Sequence, residues 1–144
     1  MYTVKLSAVI LVAAAVAALP PTPPPRVEGA PVAPPPAWAE VSRTSLWLAY
    51  GSYCWSEAGK AACADMIPPA QRPDLPVIRA RRGQAIVVRL RFRASRIVVT
   101  VGGRRVVRTT GSTVSWQTAR TGIVSVEAKV RGDGASYVAR LRIR

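Results

Sequence analysis

Residues 85–109 read AIVVRLRFRASRIVVTVGGRRVVRT, and they carry the clearest secondary-structure signal in the chain. Up to Arg93 the residues alternate between apolar and charged, so the two kinds of side chain fall on opposite faces of an extended strand. Further on, Gly102-Gly103 separates the runs 97–101 and 104–109, which is the pattern of a two-residue β-hairpin turn. The stretch therefore predicts antiparallel strands with one buried face and one charged face.

The same pattern extends outward in both directions. Short alternating runs, separated by turns that contain glycine or proline, predict further strands at residues 45–53, 77–80, 112–117, 123–131 and 137–143. Seven or eight strands in about 100 residues, with turn signals about every 8 to 12, are typical of a two-sheet antiparallel sandwich. We therefore expect an all-β, antiparallel, immunoglobulin-like β-sandwich of about seven strands.

The N-terminal part of the chain differs in composition. Lys5 precedes an apolar run from Leu6 to Leu19, which is typical of a secretory signal, although an uncleaved membrane anchor would look similar. Most of the 13 prolines follow, and they predict a disordered, extended linker. The chain thus divides into a signal peptide or anchor at 1–19, a proline-rich linker at 20–37 and a basic domain at 38–144. We expect an exported protein, extracellular or in the cell envelope, that is either released or held at the membrane by its N-terminal segment.

Cys54 and Cys63 are the only cysteines, and an even pair in an exported chain most simply forms a disulfide bond. On the chain-entropy account, closing such a short loop stabilises a domain by about 2 to 3 kcal/mol. Together with Met66, the two cysteines would instead offer a sulfur site for monovalent copper, because thiolate and thioether ligands select that ion. The copper alternative requires reduced cysteines.

The segment around the cysteines resembles a known family. Gly51, Ser52, Tyr53, Cys54 and Trp55, followed by Cys63, Ala64, Asp65 and a proline-containing loop, resemble the G-S-Y-C-W motif of small secreted bacterial proteins of uncharacterised function. The runs 121–126 and 135–141 are similar to the last two strands of bacterial immunoglobulin-like domains. The resemblance covers residues 45–144 and implies an exported, disulfide-bonded sandwich, but it implies no activity.

The predicted domain is strongly basic. The chain has a formal net charge of +14, and 19 basic but only 6 acidic side chains fall in residues 38–144. Arginines recur at alternate positions of two predicted strands, so each run projects to one face, and Lys129 and Arg131 repeat this spacing on a neighbouring strand. These are our candidate anion-binding residues: Arg89, Arg91 and Arg93 on one strand, and Arg140, Arg142 and Arg144 on the other. They would form one cationic wall if the strands were adjacent; alternatively, each run is only the solvated face of a sandwich.

The composition also restricts the chemistry and the partners. Without any histidine the chain lacks the usual general base and cannot form a Ser-His-Asp triad, so we expect no catalytic residue, no resident metal and no cofactor. An anionic envelope polymer, a lipid surface or a protein remains open as the partner. Nucleic acid is not expected, because Tyr53 and Trp55 lie beside a cysteine and not among the arginines, which leaves no base-stacking platform.

These observations predict a noncatalytic binding or interaction module of the bacterial envelope. The alternatives are a structural or assembly component of an envelope protein complex, which would associate through an open sheet edge or the arginine faces, and a copper-binding protein.

Overall fold

The structure, a computed structural model, describes residues 31–144. They form nine strands and one 3-10 turn: β1 (Trp38–Val41), β2 (Thr44–Trp47), β3 (Ala49–Glu57), β4 (Lys60–Ala64), the turn Pro69–Gln71, β5 (Val77–Ala80), β6 (Ala85–Val101), β7 (Arg104–Gln117), β8 (Gly122–Val130) and β9 (Asp133–Ile143). Within this part of the chain, no helix has the length and apolar character needed to cross a membrane. The predictions for residues 1–30 lie outside the described residues.

β6 and β7 form the hairpin that the two glycines predict. Val101 pairs with Arg104 across Gly102 and Gly103, whose φ angles are 57° and 78°. Glycine adopts two successive positive φ angles without a steric penalty, which is why the sequence alone locates this turn. Both strands are longer than predicted, because each joins two of the predicted runs into one strand.

β6 changes its buried face near its middle. Its most buried residues are even-numbered from Ile86 to Ala94 and odd-numbered from Ile97 to Val101. The pairing with β7 gives the reason: the three-residue step from Ala94 to Ile97 lies opposite the two-residue step from Gly111 to Thr109, just after a longer irregularity between Arg89 and Ala94. The extra residues of β6 form a bulge, and a bulge bends a strand and reverses which side chains point into the core.

The nine strands form one curled, hydrogen-bonded sheet around a single core. The order is β2-β1-β6-β8-β9-β3-β4, with β7 on the other edge of β6 and β5 beside β9. All pairs are antiparallel except β5 and β9, which are parallel. β1 pairs with the first part of β6 and β8 with its second part, so the bend in β6 joins two regions of the sheet. The all-β prediction is confirmed, whereas the strands that were expected in two separate sheets form one continuous sheet.

The end of the proline-rich segment packs on the core. The hydroxyl of Tyr50 donates to the carbonyl oxygen of Pro34 at 2.7 Å, and the hydroxyl of Tyr137 donates to that of Pro35 at 2.7 Å. Pro34 is buried, and the carbonyl oxygen of Ala37 accepts the N–H of Leu48 at 2.9 Å. Residues 34–37, which the sequence assigns to the linker, therefore contact the core, because two core tyrosines take their hydrogen-bond acceptors from this backbone.

Candidate anion-binding surface

The first predicted set of arginines lies on the outer face of β6, before and within the bulge. Arg89 donates through Nε to the Glu40 carboxylate of β1 at 2.8 Å. Arg91 and Arg93 are exposed and fall in the part of β6 that has no paired partner on β7. One of these three cations is therefore already neutralised by the protein.

The Glu40 carboxyl is held in its charged form. Burial raises its pKa, but hydrogen bonds from Arg89 and Trp38 and the charge of Arg89 outweigh burial, so the pKa lies below its ordinary value. Its side chain is only 12% exposed, whereas that of Arg89 is 44% exposed. The pair therefore ties β1 to β6 and is a poor site for a competing anion.

The second predicted set lies at the end of β9, beside β5. Arg140 is half-buried and donates through Nη2 to the carbonyl oxygen of Arg72 at 2.8 Å, while Arg72 is itself buried and donates to the carbonyl oxygen of Tyr50. Arg140 and Arg72 thus tie the segment between β4 and β5 to β9 and β3. Arg142 pairs in register with Arg79 of β5, and the exposed Arg144 follows the strand.

The two arginine sets do not form one cationic wall. β8 separates β6 from β9 in the sheet order. Moreover, β8 pairs with the second part of β6, from Arg96 to Val101, whereas the predicted arginines of β6 precede that part. The condition for a continuous wall, adjacent strands, is therefore not met.

The structure instead brings together four cations that lie on three strands and one turn. Arg96 of β6, Arg108 of β7, Lys129 of β8 and Arg131 of the β8–β9 turn line an open groove of about 550 Å³, with Ser95, Thr109 and Thr110 completing its lining. All four cationic side chains are exposed. Lys129 and Arg131 were recognisable as alternate cations in the sequence, but Arg96 and Arg108 were missed because the bulge in β6 is what turns Arg96 to the outer face.

The groove carries positive charge without a counter-ion. Arg96 and Lys129 are directly opposite each other in the β6–β8 ladder, and no acidic residue is part of the lining. Glu127, two residues before Lys129, is the nearest acid on that strand, and it forms no ion pair with any residue of the described range. Ser95 Oγ donates to the carbonyl oxygen of Lys129 at 3.0 Å and so ties β6 to β8 beside the groove.

A second groove adjoins the first and shares Lys129 and Arg131 with it. Its lining also contains the disulfide and two carboxylates, Asp65 and Asp133. Asp133 accepts hydrogen bonds from the backbone N–H and the hydroxyl of Ser56 at 3.1 Å and 3.0 Å. The carboxylates therefore lie on the β3–β4 side, whereas the lining on the β6–β7 side contains only cations and hydroxyl-bearing residues.

The G-S-Y-C-W segment has a structural explanation in β3. A Cβ atom on Gly51 would lie 2.2 Å from Ser136 Oγ, which itself donates to the carbonyl oxygen of Ser52 at 2.9 Å. Ser52 Oγ donates to the Asp65 carboxylate at 3.0 Å and accepts the N–H of Met66. Tyr53 and Trp55 are buried, and the Trp55 ring packs against Phe92 with centroids 5.0 Å apart. The motif therefore fastens β3 to β9 and to the chain after β4.

Cys54 and Cys63 form the predicted disulfide bond, with an S–S distance of 2.05 Å. They face each other across the β3–β4 pair, and both residues are exposed. The bond fastens β4, which among the described strands pairs only with β3, at the end of the sheet. It also removes the two thiolates that the copper alternative requires, and no cluster of three or more His, Cys, Asp or Glu residues capable of holding a metal ion occurs within residues 31–144.

Tyr137 is a buried core residue whose phenol is perturbed by its surroundings. Burial raises the pKa of its phenol far above the ordinary range, and the neighbouring Tyr50, whose ring centroid is 5.9 Å away, adds to the shift. The hydroxyl therefore stays protonated and acts as a hydrogen-bond donor.

Comparison of the chain with protein-family models, with curated proteins and with solved structures finds no match.

Proposed function

We propose that this protein is an exported, noncatalytic binding module of the bacterial envelope whose ligand is an anionic polymer or surface. The observation that carries the proposal is the shortage of ion pairs. The described residues contain 19 basic side chains, and only Arg72 and Arg89 of these pair with a carboxylate. A surface charge that the protein leaves uncompensated attracts polyanions and concentrates them near it.

The fold proposed for this module is immunoglobulin-like. The alternation of buried and exposed residues along β8 and β9 and the curling of the sheet around one core support this assignment. The likeness of the G-S-Y-C-W segment to small secreted bacterial proteins supports export, as does the signal-like run before the prolines. A disulfide is also what an oxidising destination permits.

A salt titration tests the proposal. The purified full chain would be titrated with inorganic polyphosphate, polyglutamate and vesicles of anionic phospholipid, with neutral vesicles as the control. We expect binding to at least one anionic probe, with an affinity that falls at least about tenfold between 50 and 200 mM salt, since such contacts are screened. The absence of binding to every anionic probe at 50 mM salt would overturn the proposal.

A second candidate function is assembly with an envelope protein through an open strand edge. Within residues 31–144, β7 pairs on one side only, with β6, over much of its 14 residues. Open edges accept a further strand, although Arg104, Arg105 and Arg108 on β7 are the kind of charges that discourage nonspecific pairing. An assembly partner should remain bound at physiological salt, whereas a polyanion should be largely displaced.

A further inference from the structure

The groove formed by Arg96, Arg108, Lys129 and Arg131, hereafter the cationic groove, differs from the rest of the basic surface. Its cations come from four separate positions in the fold and converge on one open cavity. We propose that this groove binds neighbouring phosphate groups of an anionic polymer. The inference rests on the proposed function and assigns its binding site and ligand chemistry.

The first argument is the direct opposition of like charges. Opposite residues in an antiparallel pair have Cβ atoms about 4.5 to 5.5 Å apart, and like charges at such positions destabilise the sheet. Arg96 and Lys129 occupy one such pair without a carboxylate in the lining. On the other part of β6, by contrast, Arg89 is neutralised by Glu40. A bound anion would remove the repulsion in the cationic groove.

The second argument is the backbone of Arg131. Its φ angle is 55°, a conformation that bulky side chains rarely adopt and that costs on the order of 1 kcal/mol or more. The turn Arg131-Gly132 places the strained residue first, where glycine would be free of strain. The side chain of Arg131, which a glycine at this position would lack, lines the cationic groove. Strained residues that face a cavity are characteristic of binding sites.

The third argument concerns the chemistry of the ligand. The lining contains guanidinium groups, an ammonium group and hydroxyls, but no aromatic side chain on which a base could stack. The planar guanidinium fork matches phosphate oxygens, and four cations exceed the charge of a single phosphate. Asp65 and Asp133 in the adjoining groove repel a polyanion, so the polymer should extend from Arg131 towards Arg108 and away from the disulfide.

Charge-matched variants of the full chain test this inference by calorimetric titration at 50 and 150 mM salt. R96Q/R108Q removes two charges from the cationic groove, and R91Q/R93Q removes two exposed charges from the predicted strand face. The probes are tripolyphosphate, orthophosphate, polyglutamate and anionic phospholipid vesicles at equal anion concentration. Thermal unfolding of each variant checks the fold.

We expect tripolyphosphate to bind the wild type more tightly than the other three probes. R96Q/R108Q should weaken that binding at least about tenfold, and R91Q/R93Q less than about threefold, because long-range attraction is equal in the two variants and only the direct contacts differ.

Equal losses of affinity for tripolyphosphate in the two variants, or no loss in R96Q/R108Q, would overturn the assignment of the binding site to the cationic groove. The proposed function would still stand. Tighter binding of polyglutamate than of tripolyphosphate would overturn the assignment of phosphate as the ligand group. Tighter binding of vesicles would show that the ligand is a lipid headgroup and not a polymer. Failure of the wild type to bind any probe would overturn the inference together with the proposed function.

Discussion

Arg131 combines a strained backbone with a charged side chain in the lining of the cationic groove. It is one of three described residues other than glycine with a positive φ angle, together with Ser42 and Ala58. Ala58 occupies the β3–β4 turn and is exposed. The two turns therefore offer a matched pair, in which backbone strain is present in both and a cation in only one.

Replacement of Arg131 by glycine should raise the free energy of unfolding by about 1 kcal/mol, because glycine adopts this conformation without strain. The same substitution should weaken the binding of tripolyphosphate if the cationic groove is its site. Chemical denaturation and calorimetric titration measure the two effects. The control, A58G, should be stabilised similarly and bind as the wild type does; equal binding by both variants would contradict the role of Arg131.

The core tyrosines offer a second matched pair at the residue scale. Tyr137 donates its hydroxyl to the Pro35 carbonyl oxygen, whereas the buried hydroxyl of Tyr53 has no hydrogen-bond partner among residues 31–144. Removing a hydroxyl that donates a hydrogen bond lowers the free energy of unfolding by about 1 kcal/mol, whereas removing a buried hydroxyl without a partner leaves it unchanged or raises it.

We therefore expect Y137F to lower the free energy of unfolding by about 1 kcal/mol and Y53F to leave it unchanged or to raise it. Urea denaturation of both variants measures the difference. Similar losses in the two variants would show that ring packing, and not the bond to the proline segment, governs the stability of this cluster.

At the scale of elements, β6 was only partly predictable. The alternation in residues 85–93 and the glycine pair gave its two ends correctly, but a bulge has no firm local signature. β1 and β4 were missed for another reason. They contain only four and five residues, and they are ordered by pairing with longer strands and not by a pattern of their own. The predicted strand 45–53 is likewise interrupted at Leu48, whose N–H bonds to Ala37.

The contact between β1 and β6 should make stability depend on pH. The pKa of Glu40 is lower in the folded state than in the unfolded chain. The ionised carboxylate therefore stabilises the fold at pH values above the pKa that Glu40 has in the unfolded chain. This contribution should disappear as the pH falls below about 4.5 and the carboxylate becomes protonated.

Unfolding measured from pH 7 to pH 3 in the wild type and in E40Q should therefore show a difference in stability that shrinks in acid. Glu57 is exposed and forms no ion pair within residues 31–144, so E57Q is the control and should follow the wild type. A constant difference between E40Q and the wild type at every pH would contradict the coupling of Glu40 to Arg89.

At the scale of the whole molecule, the folded unit extends beyond the boundary that composition indicates. The change from proline-rich to alternating sequence lies at residues 37–38, yet Tyr50 and Tyr137 bond to the backbone before it. A chain that begins at residue 31 retains these two hydrogen bonds and is the reference for a shorter chain. A chain that begins at Trp38 should lose about 2 kcal/mol or more, because two buried hydroxyls lose their acceptors.

Urea denaturation of the two shortened chains provides the measurement. Y50F/Y137F in the full chain is a control, since it removes the same two hydrogen bonds and keeps the segment. Equal stability of the two shortened chains would mean that residues 31–37 rest on the core without stabilising it.

The sequence by itself determined the all-β class, the Gly102-Gly103 turn, the Cys54–Cys63 bond and the excess of positive charge. Each of these depends on local periodicity, on glycine, on a single available pairing or on composition. Only the tertiary structure decided which cations are neighbours. Arg96 and Arg108 join Lys129 because a bulge reverses the faces of β6 and because β8 and β7 flank its second part. Strand order and register arise from the packing of the whole chain, which no local pattern encodes.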